Sequence, residues 1–422
     1  MKNSGVEWIG EIPDEWEVKK VKYIFSERKN KNIGTKEKNL LSLSYGKIVR
    51  KNITNMEGLI PESYETYNIL QPGDIVFRLT DLQNDKHSLR TGLCKEKGII
   101  TSAYTTVIPP KTVDPVYIHY LFHAYDNCKV FYNLGDGVRQ GMKYSDLCKL
   151  NIILPPKSTQ QRIASYLDKK CSKIEETIQN QQQVIEKLKA YKQSLITEAA
   201  TGKIKIQNVK VCGKYESYKD SGVEWIGKIP SEWEVGKFGR FAQVKSNLVD
   251  PNLYLEYPQI APDNIGKGSG KLIDWQTVKD SGVISWNHLF FKGQIVYSKI
   301  RPTLNKLIIA PFDGLCSADM YPIETNMYKQ FFVYMMLSQY FVEQVGLITR
   351  DRVKMPKINQ NELSGILITI PTKNEQKEIS DYLDKKCTAI DTAIEQKQKL
   401  IEKLTEYKKS LIYECVTGKK EI

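Results

Sequence analysis

His119 and His123 stand four residues apart in VYIHYLFHAY, a spacing that puts two imidazoles on one face of a helix and could supply two corners of a zinc site. The helical zinc-protease motif needs Glu directly after its first His, but residue 120 is Tyr and no third ligand suggests itself. The pair therefore reads as two histidines on an aromatic helix. Pro13-Asp14 followed by Glu17-Val18-Lys19 has the residue types of a metal-dependent nuclease. The parts lie too close together to bring an aspartate and an ExK strand around one metal, and a second copy of the stretch (Pro230-Ser231, Glu234-Val235-Gly236) lacks both the Asp and the Lys. Gly266-Lys267-Gly268-Ser269-Gly270 fails the dinucleotide fingerprint because residue 271 is Lys, and no GxxxxGK[ST] loop occurs. Nor does an Asn/Asp-Pro-Pro-aromatic tetrad of the amino-methyltransferase kind, since the Pro-Pro pairs at 109–110 and 155–156 follow Ile108 and Leu154. The chain reads as one without an active site of its own.

Side chains suited to reading a polyanion are easier to name. Residues 78–90 form a polar, base-studded stretch carrying Arg78, Asp81, Asn84, Lys86 and Arg90, the side-chain types whose donors and acceptors match base edges. A glycine-rich segment follows at 135–144, with Arg139, Gln140, Lys143 and Tyr144. In the second half the candidates are Asn264 and Lys267 in a Gly-rich loop, then Lys299, Arg301 and Lys306 after a strand-like run. Arg350, Arg352 and Lys354 occupy the place that matches Arg139 to Lys143. The formal net charge of +13, from 62 basic and 49 acidic residues, is spread through the chain rather than held in a tail, which suits a broad surface facing nucleic acid. The eight cysteines never form a CxxC pair, which argues against a zinc ribbon or a disulfide framework and fits a reducing cytoplasm. No apolar run is long enough to cross a membrane, and residues 1–20 lack the basic-then-apolar pattern of a secretory signal.

These candidates have to be positioned by something, and the organising element is an amphipathic stretch written twice. Residues 160–203 and 376–419 align without a gap. Leu167, Cys171, Ile174, Ile178, Ile185, Leu188, Leu195 and Ala199 fall on a heptad seam, repeated by Leu383, Cys387, Ile390, Ile394, Ile401, Leu404, Leu411 and Cys415. Such a stripe calls for a partner helix, and the twin in the same chain is the nearest one. The seam is interrupted by Gln181 and Lys397 and by Lys192 and Lys408, polar residues that cost stability but set register. A second repeat opens each half: SGVEWIGEIP at 4–13 and SGVEWIGKIP at 221–230, followed by Trp16-Glu17-Val18 and Trp233-Glu234-Val235. Each globular segment carries short strand-like runs (40–44, 74–79 and 99–107; 294–298, 307–310 and 366–370) and one apolar helical stretch, at 115–133 and 326–345. A strand ending in proline, NIILPP or ILITIP, then launches the long helix.

Taken together, the SGVEWIG starts, LPPKSTQQRIASYLDKK, the SLITEAATGK and SLIYECVTGK helix ends, DIVFRLTDLQNDKHSLRTG and GVRQGMKYSDL make the chain resemble, over essentially its full length, the specificity subunit of type I restriction-modification enzymes. The resemblance implies an α+β fold of two mixed α/β target-recognition domains separated by two long helices that form an antiparallel coiled coil, a pseudo-twofold tandem repeat. On that frame the recognition domains span 1–157 and 221–372, the spacer helices 158–203 and 373–422, and residues 204–220 link the halves. It further implies that each domain reads one half of a split, asymmetric double-stranded DNA target. Two methyltransferase subunits would dock on the helices, and restriction/translocase subunits would join them. S-adenosylmethionine, ATP and Mg would belong to those partners, leaving this chain non-catalytic. A twofold-like reader should meet half-sites roughly 34 Å apart. The TEAATGK end lacks the tandem four-residue repeat that alters spacer length in some relatives. A specificity subunit of a type IIB-like methylase-nuclease, or a coiled-coil scaffold without DNA binding, are the alternative readings.

Overall fold

The computed structural model describes residues 1–51, 63–80, 89–133, 141–352 and 354–422. The chain divides into two compact units, Met1–Gln181 with Gln398–Ile422, and Gln182–Lys397. Each unit thus takes one globular segment, the start of the long helix that follows it, and the end of the other long helix.

In the first unit a four-stranded antiparallel sheet has the order Ser26–Glu27, Thr105–Ile108, Ile75–Phe77, Thr91–Leu93. The helix Pro115–Asn127 packs against it, with Phe122 edge-on to Phe77 at 4.8 Å between ring centroids. That helix starts where it does because Asp114 accepts from the Val116 and Tyr117 N–H groups and Pro115 fills the first turn. Strand Asn151–Leu154 pairs with Glu17–Lys20, and Pro155-Pro156 end it. The second unit repeats this frame. Its sheet runs Ala242–Val244, Met320–Thr325, Ile295–Ser298, Leu307–Ile309, and Leu367–Ile370 pairs with Glu234–Lys237. Each unit adds a second sheet. In the first unit the strand pairs Asn68–Leu70 with Gly98–Ile100 and Leu41–Ser44 with Lys47–Arg50 are joined by a parallel bridge from Leu40 to Ile99, and Lys31 bridges Asn68 on the far side. The second carries a five-stranded sheet in which Pro258–Ile260 and Gly314–Cys316 run parallel.

Several expectations from the sequence change in detail. The run 99–107 is two strands, Gly98–Ile100 and Thr105–Ile108, separated by a turn. The stretch 326–345 is two helices, Lys329–Leu337 and Gln339–Thr349, bent by 59° at Ser338, whose backbone is extended. The break is tolerated because the first long helix satisfies both sides of it. Gln193 donates to the Leu337 carbonyl at 2.8 Å, and the Gln339 N–H donates to Thr197 at 2.9 Å. Residues 204–220 are largely folded: Lys205–Gln207 pairs with Lys210–Gly213, Tyr218–Asp220 pairs with Lys228–Pro230, and Ile206 is buried in the second unit's core. Among the described residues no single helix is long and apolar enough to cross a membrane.

The long helices span Lys157–Ala200 and Lys373–Val416. In each unit they run antiparallel. In the first, Arg162 bonds the Ile422 carbonyl while Lys408 pairs with Glu175; in the second, Lys192 meets Asp391 at 2.8 Å while Thr369 donates to the Ala200 carbonyl. The seam lysines 192 and 408 therefore each hold a carboxylate across the helix pair. Leu167, Cys171, Leu383, Cys387, Leu195, Ala199, Leu411 and Cys415 are buried. A glutamine fixes the start of each helix. Gln160 accepts from the Asp114 N–H and donates to Pro155, and Gln376 accepts from the Tyr328 N–H and donates to Pro371. At the other ends Gly202 and Gly418 adopt left-handed conformations, with the Lys203 and Lys419 N–H groups closing back on Glu198 and Glu414. Gly418 lies against Pro13 and Trp16, and Gly202 against Pro230 and Trp233. The two sequence repeats are thus the two halves of one contact: the TGK end of each helix docks on the Pro and Trp that follow an SGVEWIG motif.

Candidate nucleic-acid interface

In the second unit the nominated residues come from three segments that the backbone stitches together. Strand Ile295–Ser298 is buried along its length and delivers the chain into a basic turn. The Arg301 N–H donates to the Pro356 carbonyl at 2.7 Å, the Ile358 N–H to Lys299 at 3.0 Å, and Ile300 bridges Lys357. The Gly268 N–H donates to the Leu304 carbonyl at 3.1 Å, which ties the Gly-rich loop to the same turn. The loops at 264–271, 299–306 and 354–358 are therefore one surface, although they are far apart in sequence.

Within that surface the cations divide into exposed ones and committed ones. Lys267, Arg301, Arg350 and Lys354 are exposed. Lys306 is 15% exposed and holds the Pro262 carbonyl at 2.8 Å and Asp263 at 3.3 Å, so it braces a turn. Arg352 is paired with Glu362, and hydrogen bonding to that guanidinium holds the Glu362 carboxyl below its usual range. Asn264 caps its own turn, accepting from the Ala261 N–H and donating to Asp274, both at 2.7 Å. Lys299 lies over the Tyr321 ring, 5.1 Å from its centroid. The side chains placed to meet an anion are thus a subset of those nominated.

The first unit shows the same crossing where it is described. Arg78 follows strand Ile75–Phe77 half-buried, and the Met142 N–H donates to the Leu79 carbonyl at 2.8 Å, bringing the ends of the two nominated stretches together. Lys143 is exposed at the start of a short helix. The Tyr144 hydroxyl points inward, donating to the Phe25 carbonyl at 2.9 Å, and burial pushes it up to about 12. Arg90 corrects an expectation. It is 1% exposed, its guanidinium donates to the Thr80 carbonyl at 2.6 Å, and its N–H donates to the buried Asp126, so it is an internal brace rather than a surface contact. Asp81, Asn84, Lys86, Arg139 and Gln140 lie outside the described residues.

His119 and His123 do share a helix face, with ring centroids 4.0 Å apart. Both are buried. Burial pushes His123 down to about 4 and His119 well below its ordinary value, so both rings stay neutral at physiological pH. His123 is hydrogen-bonded through Nε2 to the Thr91 carbonyl at 2.9 Å. Among the described residues no three His, Cys, Asp or Glu gather to hold a metal ion.

Comparison with known proteins bears on what such a surface serves. The model of the type I restriction modification DNA specificity domain matches twice, over residues 13–190 and 230–405. The chain is 31% identical to the type I restriction enzyme EcoDI specificity subunit of Escherichia coli, over 74% of this chain and 72% of that one. It is 26% identical to a putative type I restriction enzyme MjaX specificity subunit of Methanocaldococcus jannaschii, over 97% and 95%. A solved structure described as the basis of complex assembly and conformational transition of the type I R-M system superposes with a TM-score of 0.69 at 12% identity, covering 97% of this chain and all of that one.

Proposed function

The chain belongs to the type I restriction-modification DNA specificity family, and we propose on that footing how its two units divide the work. It is the sequence-recognition subunit, without catalysis of its own. Each unit reads one half of a split, asymmetric duplex target. Methyltransferase subunits dock on the long helices and restriction/translocase subunits join them in the cytoplasm, with S-adenosylmethionine, ATP and Mg used on those partners.

The observation that carries the division of work is that two matching frames bear unlike surfaces. The four-stranded sheets share one strand order and the second sheets share another, while the loops differ. Residues 261–275, with the Gly-rich 264–271 segment, join Pro258–Ile260 to its neighbour in the second unit, where the tight turn Tyr45-Gly46 joins the matching strands of the first. A duplicated scaffold with different faces suits a target whose halves differ, unlike the palindromes read by true dimers. Exposed Lys267, Arg350 and Lys354 supply phosphate contacts, so affinity falls steeply with salt.

The test is a titration of duplex DNA against the full chain at rising salt, followed by methylation mapping of the host with and without it. A linear fall of log affinity with log salt, and loss of one bipartite methylation motif on deletion, is the expected result. No binding and an unchanged methylome would leave only a scaffold.

A further inference from the structure

Arg301 and Met355 are both left-handed at their backbones, with φ of +42° and +51°, and both precede a proline. Neither condition suits the other. A side chain with a Cβ rarely adopts positive φ, and the residue before proline is driven towards extended backbone. The two strained corners lie together, joined by the 2.7 Å bond from the Arg301 N–H to the Pro356 carbonyl. Their surroundings hold them firmly. Pro302 is buried, Ile358 is fully buried, and Asn305 donates to the Met336 carbonyl at 2.9 Å just after the turn. What the strain achieves is display: Arg301 is exposed, and Met355 keeps 50% of its surface in water on a cationic rim beside Lys354. An apolar side chain held in solvent by a strained backbone contributes nothing to this unit's core.

We propose that Arg301 and Met355 together form a base-reading element of the second recognition domain. Arg301 takes the O6 and N7 of a guanine in the major groove, and Met355 packs on the 5-methyl group of a neighbouring thymine. The chemistry is matched: a guanidinium reads guanine bidentately, and a thymine methyl is read by apolar contact. The locked backbone supplies the fixed separation that reading two adjacent base pairs requires. The proposal rests on the DNA-recognition role above, and the experiment separates the two.

The full chain, with whatever subunits co-purify with it, is used to select from a randomised duplex pool. The best duplex is then titrated with thymine or with deoxyuridine at each position, against wild type, Met355→Ala, Met355→Leu and Arg301→Lys. Wild type should lose roughly three- to five-fold in affinity at one thymine when its methyl is removed, the worth of about one buried methyl. Met355→Ala should bind both duplexes alike, and Met355→Leu should keep the difference, which shows that the fold survives change at this site. Arg301→Lys should lose on the order of ten-fold preference for a guanine beside that thymine, with the other half of the motif intact. Met355→Ala distinguishing thymine from uracil as wild type does, or Arg301→Lys blurring both halves equally, overturns the proposal. Wild type selecting no motif at all overturns the recognition role itself, and this proposal with it.

Discussion

Single residues here are decided by what surrounds them more than by their type. His123 is the clearest case for pH. Its ring is buried and neutral, and burial lowers it to about 4 against an ordinary 6.5. As pH falls, the unfolded chain takes up a proton first, so the stability tied to the neutral ring is fully present above about 6.5. It is lost progressively as pH falls to about 4. The slope is at most about 1.4 kcal/mol per pH unit for one group, and His119 adds to it in the same direction. Denaturant unfolding followed from pH 7 to 4 should show this loss, and His123→Gln should flatten it; an unchanged slope would mean the ring is not titrating. Arg90 gives a second contrast. Arg90→Met should lower stability by about 1.5–3 kcal/mol, because it removes a charged donor's hydrogen bond to the Thr80 carbonyl. The salt dependence of DNA binding should stay as it was, since a guanidinium 1% exposed neutralises no phosphate.

At the scale of elements, the long helices are held at their ends as much as along their seams. Each starts from a glutamine that bonds both the preceding proline's carbonyl and a globular segment's N–H. Each ends on a left-handed glycine pressed against a proline and a tryptophan. A Cβ on Gly418 would lie 2.4 Å from Pro13 Cδ, and one on Gly202 would lie 2.3 Å from Pro230 Cδ. Gly418→Ala and Gly202→Ala should therefore each cost more than about 1 kcal/mol, through both the positive φ and the clash. Calorimetry of the two variants should give similar falls in Tm, because the two ends are built alike; a change in one alone would show that the docking is not equivalent. The seam lysines belong to this scale too. Lys192 with Asp391 and Lys408 with Glu175 are polar pairs in an apolar stripe, and they pin the register that leucines alone would leave to slide.

For the molecule as a whole, the duplication makes the long helices a candidate ruler. Four residues inserted into each helix, after Gln181 and after Lys397, leave the local pairing of each compact unit in its own register. They add about one turn, or roughly 6 Å. The preferred spacer between half-sites should lengthen by about two base pairs, at roughly 3.4 Å each, while both half-site sequences stay the same. Methylation mapping in a host carrying the variant checks this, and an unchanged spacer would remove the helices from that role.

The repeats, the seam, the proline-ended strands and the frame common to both halves were legible in the sequence. They are written in periodicity and in local stop signals, which need no knowledge of distant partners. Local signals also blur: the 326–345 stretch reads as one helix because the bonds that let it break at Ser338 come from Gln193 and Thr197, more than a hundred residues earlier. The same limit divides the nominated cations. Nothing near Arg90, Lys306 or Arg352 in the chain announces that Thr80, Pro262 or Glu362 will claim it, whereas Lys267, Arg301, Arg350 and Lys354 are left to solvent. Charge and spacing name the residues able to meet DNA. Which of them are left to water alone is settled only when the chain folds, because a carbonyl or carboxylate brought within hydrogen-bonding distance competes with solvent for the charge.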